Sequence, residues 1–210
     1  MLLTFVEVLI YCLNIAYHQN KKYAFVSDYA RLYALYTEGG IYMDTDVEVL
    51  KNFDSLLSNI AIFGFESNGP VQSCMIASEK GGICVKELLE EYSDRRFIKE
   101  DKTFDLTPNT TFISNYMTRK GALLNNSYQE IEGIATIYPS EYFCPINQNT
   151  GEIRTTENSY CIHHFAGSWM PTNMKFASRL KKALSRLIGA DRINCLIDKL
   201  GLRTWKDNHM

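Results

Sequence analysis

No two of the six cysteines stand close enough to form a C-x-x-C pair; Cys12, Cys74, Cys84, Cys144, Cys161 and Cys195 are scattered along the chain. That spacing argues against a structural zinc site, and it predicts reduced core thiols rather than a disulfide framework. An excess of one charge is lacking too. The formal net charge of -2 gives no overall pull toward nucleic acid or an anionic surface. There is no apolar run of the roughly 20 residues needed to cross a bilayer. The nearest approach, residues 1–17, carries Glu7, lacks a basic start and shows no small-residue cleavage site before His18. It is expected to form a buried helix or strand rather than a signal or anchor. Repeats and low-complexity linkers are also missing, which leaves 210 residues with 46% hydrophobic content, enough for one substantial domain.

Residues 27–46 are the organising stretch. Ser27 suits an N-cap, Asp28 suits a positive first turn, and Gly39 or Gly40 can supply the left-handed residue that ends a helix. Between those signals the helix is apolar almost all round, which predicts burial. Asp28 and Arg31 interrupt it three residues apart, on one helical face. A short apolar strand, Ile41-Tyr42-Met43, then leads to Asp44 and Asp46. On extended chain these carboxylates point to the same side. Held together they repel unless a cation or proton lies between them, and a divalent metal that also grips a diphosphate meets that need.

Two other carboxylate motifs fit less well. An EF-hand loop needs Gly where Val49 stands and Glu where Ser55 stands. A haloacid dehalogenase-like phosphatase also begins at an apolar strand followed by D-x-D. That motif usually has Thr or Val where Glu48 stands, and it needs a later lysine and acidic pair that are not placed here. A second constellation, residues 163–169 (H-H-F-A-G-S-W), follows a strand-like Tyr160-Cys161-Ile162. One of the two adjacent histidines points to the core and the other to the opposite face. His164 offers either a neutral nitrogen ligand or a hydrogen bond to a phosphate, and Ser168 and the Trp169 indole N–H are donors for phosphate oxygens.

Elsewhere, residues 60–65, 71–77 and 134–138 read as buried strands, residues 83–97 and 112–120 as helices, and 142–145 and 160–162 as short extended pieces. Helices alternating with buried strands indicate an α/β fold with a mixed, mainly parallel sheet. Residues 173–188 form a basic amphipathic helix. It is expected to pack its apolar face inward and solvate its charged side, with contact to an anionic membrane surface as the alternative.

The combination S-D-x-x-R-x-x-x-L-Y-x-x-G-G-x-Y-x-D-x-D, with H-x-x-x-S-W far downstream, resembles glycosyltransferase family 32. Its members include capsular polysaccharide synthesis proteins and outer-chain mannosyltransferases; the glucosylating domains of large clostridial toxins look like more distant relatives. The resemblance runs from about residue 21 to 171. It implies a GT-A-like fold, a nucleoside-diphosphate sugar donor, Mn2+ or Mg2+, a glycan or lipid-linked glycan acceptor, and retention of anomeric configuration. Carried onto this chain, it implies Asp44, Asp46 and His164 as metal ligands. Asp28, Arg31 and Asp46 would act in catalysis, and Asp28, Arg31, Tyr42, Ser168 and Trp169 would line the donor site. Relatives usually carry a longer stretch before the S-D-x-x-R helix, so the first strand or strands, which hold the base, are expected to be missing. The implied organisation is an atypical apolar segment 1–20, a catalytic domain 21–171 and a basic helical segment 172–210. The expected setting is cytoplasmic, with a peripheral position at the inner membrane face as the alternative, and without nucleic-acid partners. A non-catalytic remnant with weak sugar-nucleotide binding is the alternative.

Overall fold

The computed structural model describes residues 23–67, 69–93, 107–167, 172–190, 192, 193 and 195; the segment 1–20, Ser168 and Trp169 therefore lie outside the described residues. Helix α1 (Tyr23–Glu38) begins four residues before Ser27. Ser27 is thus not an N-cap. Its carbonyl accepts from Arg31 Nε at 3.3 Å and its hydroxyl from Arg31 Nη2 at 3.4 Å. The helix ends where expected: Gly39 has φ +70° and donates its N–H to the Leu35 carbonyl. A Cβ on Gly39 would lie 2.7 Å from the Lys80 nitrogen, so both backbone conformation and close approach require glycine.

Strand β1 (Gly40–Met43) follows, then β2 (Val47–Val49), a short 3-10 turn (Asp54–Leu56), β3 (Ala61–Gly64) and β4 (Met75–Ser78). Helices α2 (Ile83–Ser93) and α3 (Asn109–Arg119) precede β5 (Gln129–Ile131), β6 (Ala135–Tyr138), the one-turn helix α4 (Ser140–Phe143), β7 (Cys161–His163) and α5 (Thr172–Ile188). Residues expected to be extended from 142 to 145 are instead partly helical. Pro139 sets the entry to that turn, and its carbonyl accepts the Tyr142 N–H.

The main sheet has the order β1-β4-β3-β6-β5, and β2 pairs with β7 as a separate antiparallel ribbon. It is a mixed sheet in an α/β fold, consistent with a GT-A-like architecture. The balance differs from expectation: among the described strands β3 and β6 run parallel, and the other three pairings in this sheet are antiparallel. Connection length explains two of the three. Residues 132–134 join β5 to β6 and residues 65–74 join β3 to β4, neither long enough for a helical crossover, whereas α2 and α3 lie between β3 and β6.

β3, β4 and β6 are buried throughout, with side chains alternating between two cores. Phe63, Ile76 and Ile137 pack with Leu32 and Leu35 of α1, Val85 and Leu88 of α2, and Ile113 and Met117 of α3. Ile62, Met75 and Tyr138 face Phe53, Phe143 and Cys161. Cys74, Cys84, Cys144 and Cys161 are buried free thiols as expected; Cys195 is free but exposed. The C-terminal helix departs most from expectation, because its apolar residues Phe176, Leu180, Leu184 and Leu187 face solvent.

Candidate active site

The site forms where β1 runs out. The Asp44 N–H donates to the Cys74 carbonyl at 2.8 Å, continuing the β1–β4 pairing by one bond. The chain then turns, with Val47 N–H donating to the Asp44 carbonyl at 3.1 Å, before β2 begins. Asp44 and Asp46 therefore converge across a turn rather than along one face of an extended strand. The expected proximity holds, by a different backbone route.

Asp44 is gripped from within the protein. Its Oδ1 accepts from the Tyr42 hydroxyl at 2.7 Å and lies 3.4 Å from Arg31 Nη1. Arg31 is only 6% exposed, and each nitrogen of its guanidinium has an acceptor. Nη2 pairs with Asp28 at 2.9 Å, Nη1 donates to the Ser73 carbonyl at 2.6 Å, and the remaining contacts go to Ser27. Its guanidinium carbon lies 4.7 Å from the centre of the Tyr42 ring. Burial is the main reason that the Tyr42 phenol is raised well above its ordinary range; Arg31 opposes the rise and Asp44 adds to it. Tyr42 therefore stays a protonated donor to Asp44.

Asp46 is held from the far end of the chain. Its Oδ2 accepts from the Ala166 N–H at 2.8 Å, and its carbonyl accepts from the His164 N–H at 3.1 Å. The ribbon register sets Val47 opposite His163, which brings His163 Nε2 to 3.3 Å from Asp46 Oδ1. Desolvation lowers the His163 pKa below 6.5 despite the opposing pull of Asp46 and Asp44, so the imidazole is neutral and has a lone pair for a cation. Its ring lies 4.0 Å from that of Phe165, a bulky residue at φ +50°. Left-handed backbone at such a residue is costly and is found where surrounding contacts enforce it, often at functional sites.

The structure thus brings Asp28, Arg31, Tyr42, Asp44 and Asp46 together. It does not bring His164 with them: that side chain is exposed and pairs with Glu48 at 2.8 Å. His163 takes the inward place. It shares a strand face with Cys161, which is buried in the core, whereas His164 follows with opposite parity. Because Tyr160, Cys161 and Ile162 are all apolar, the sequence carries no alternation to reveal which histidine is inward. Glu48, Ala166 and the Ser73 carbonyl were also missed, and for the last two the reason is general: backbone groups leave no signature in side-chain identity.

One ligand atom from each of Asp44, Asp46 and His163 lies within 4.8 Å of the others. All three residues are partly buried, and His163 Nδ1 is buried without a hydrogen-bond partner. Two carboxylates and a neutral imidazole form a donor set that fits a divalent cation.

The site is thus a D-x-D turn at the end of a strand in a mixed α/β sheet, backed by a buried Asp–Arg pair. Residues 7–62, 56 of the 210 in the chain, match the family described as glycosyltransferase sugar-binding region containing DXD motif. This match supports a glycosyltransferase family 32-like assignment and, with it, a glycosyltransferase activity. It starts inside the apolar N-terminal segment, covers α1 and the D-x-D turn, and stops within β3, so His163 lies beyond it. No curated protein and no solved structure matches the chain.

Proposed function

We propose that this protein transfers a sugar from a nucleoside-diphosphate donor to a glycan acceptor, with retention and in polysaccharide synthesis, using Mn2+ or Mg2+ held by Asp44, Asp46 and His163. The observation that carries this reading is the convergence of those three side chains within 4.8 Å, beside the buried Arg31. When bound, the cation would neutralise charge on the departing diphosphate. The protein's own residues set the stage for that step. Tyr42 and Arg31 orient the Asp44 carboxylate in advance, so little reorganisation accompanies ligand binding. Because each nitrogen of Arg31 already has a protein acceptor, it acts as a positioning residue and a fixed positive charge. Asp28 holds it in place. Ser168 and Trp169, four and five residues beyond His164, are proposed to contact the leaving diphosphate. His164 is left out of the ligand set because it is engaged with Glu48.

Isothermal titration with UDP and GDP, with and without Mn2+, tests the reading. Binding of one nucleotide that requires Mn2+ and disappears with chelator is expected. If neither binds even at millimolar concentration, the donor assignment is lost. Metal-dependent release of phosphate from a small ester, abolished by Asp44→Asn, would replace it with the phosphatase alternative.

A further inference from the structure

Helix α5 presents its apolar face outward. Phe176, Leu180, Leu184 and Leu187 recur at spacings of four, four and three, which places them on one face, and they are 71%, 51%, 39% and 79% exposed. The opposite side of the helix rests on the body of the protein. Ser185 is buried there, and Arg186 donates from Nε to the Thr150 carbonyl at 2.6 Å and from Nη2 to the Gly151 carbonyl at 3.3 Å. Lys182 lies alongside Gly151 on the same side. A surface helix packed for stability alone would have these sides exchanged.

Charge says what should cover the stripe. The 17 residues of α5 include Lys175, Arg179, Lys181, Lys182 and Arg186 and no Asp or Glu, a formal charge of +5. The whole chain carries -2, so everything outside this helix sums to -7 (-2 minus +5). Pairing the stripe with the same helix of a second copy would set +5 against +5 with no intervening carboxylate. An anionic lipid surface supplies both an apolar layer for the stripe and phosphates for the basic residues beside it. Among the described residues no helix is long and apolar enough to cross a membrane, so contact through α5 would be interfacial.

We propose that α5 is an interfacial membrane anchor. Its stripe of Phe176, Leu180, Leu184 and Leu187 lies at the headgroup–acyl boundary of an anionic bilayer, with Arg179 and Lys181, which flank it, against lipid phosphates. The inference does not depend on the sugar-transfer reading.

Co-sedimentation of the full chain with vesicles tests it, using phosphatidylglycerol–phosphatidylcholine mixtures against phosphatidylcholine alone. Binding to the anionic vesicles only, weakened by salt, is expected. The double variant L180S/L187S should weaken partitioning at least about tenfold through lost apolar burial. Arg179→Gln should weaken it roughly fivefold through one lost charge near the surface. All three side chains are more than a third exposed, or flank the stripe in solvent, so the far-UV circular dichroism should be unchanged. Three results would overturn the proposal: no binding to anionic vesicles, equal binding to both vesicle types, or undiminished binding by L180S/L187S. A dimer by light scattering that L180S/L187S dissociates, without vesicle binding, would assign the stripe to a second copy instead. Nucleotide titration on the same preparations keeps failure here distinct from failure of the active-site reading.

Discussion

Asp44 and Asp46 are two residues apart and equally exposed, with side chains at 25% each, yet they are held by unlike means. Asp44 belongs to a charged network assembled by neighbours in sequence: Asp28 and Arg31 from α1 and Tyr42 from β1, with only the Ser73 carbonyl coming from farther along. Asp46 is held by the Ala166 N–H, 120 positions away, and by the imidazole of His163. The first half is a buried ion-pair system, in which losing one member leaves an uncompensated charge. The second half rests on a two-stranded ribbon whose outer residues Glu48 and Val49 are exposed. One half thus sets the rigidity of the site, and the other completes its ligand set.

Four measurements would break or sharpen that contrast. The largest effect is expected from Arg31→Met, which strands Asp28 and Asp44 beside an apolar side chain. Unfolding in urea should show a loss of about 3 kcal/mol or more, as for other broken buried ion pairs. A loss below about 1 kcal/mol would mean that the network is not locked. Asp46→Asn should cost little stability but lower the rate of sugar transfer, or of donor hydrolysis, by about a hundredfold or more, because it removes a charge that the transition state relies on. Undiminished turnover would remove Asp46 from the site.

The histidines come next. His163→Ala should weaken Mn2+ binding by at least about tenfold, while His164→Ala leaves it within about twofold. The reverse order would restore the His164 assignment and undo the ribbon half of the contrast. Tyr42→Phe removes a single donor to Asp44 and should cost about 1 kcal/mol of stability, with the metal still bound.

These contrasts follow how far each half could be read from residue order. The pairing of Asp28 with Arg31 follows from a three-residue spacing on a helix, and the stop at Gly39 follows from the one residue type that adopts φ +70° at no steric cost. The start of α1 differs from the expectation at Ser27 because this good N-cap residue lies next to helix-compatible residues on both sides; it serves Arg31 instead. The mixed sheet was legible in kind but not in balance. Strand direction depends on which strands become neighbours: short connections make β3–β4 and β5–β6 antiparallel, whereas the antiparallel β1–β4 pair joins strands 31 residues apart.

The local pairs of the site were settled by sequence alone. Helix period pairs Asp28 with Arg31, and the two-residue step from Tyr42 sets its hydroxyl beside Asp44, because interactions over a few residues depend on backbone geometry that residue type controls. The approach of Arg31 to Asp44, 13 residues apart, needed α1 and β1 to come together. Which histidine faces Asp46 was decided by tertiary structure. The β2–β7 register and the burial of Cys161 set the parity of the strand, and neither is written in an apolar run that lacks alternation. The outward stripe of α5 was decided in the same way. Amphipathicity specifies that a helix has two faces, but the hydrogen bonds of Arg186 to residues 150 and 151 determine which face meets the protein.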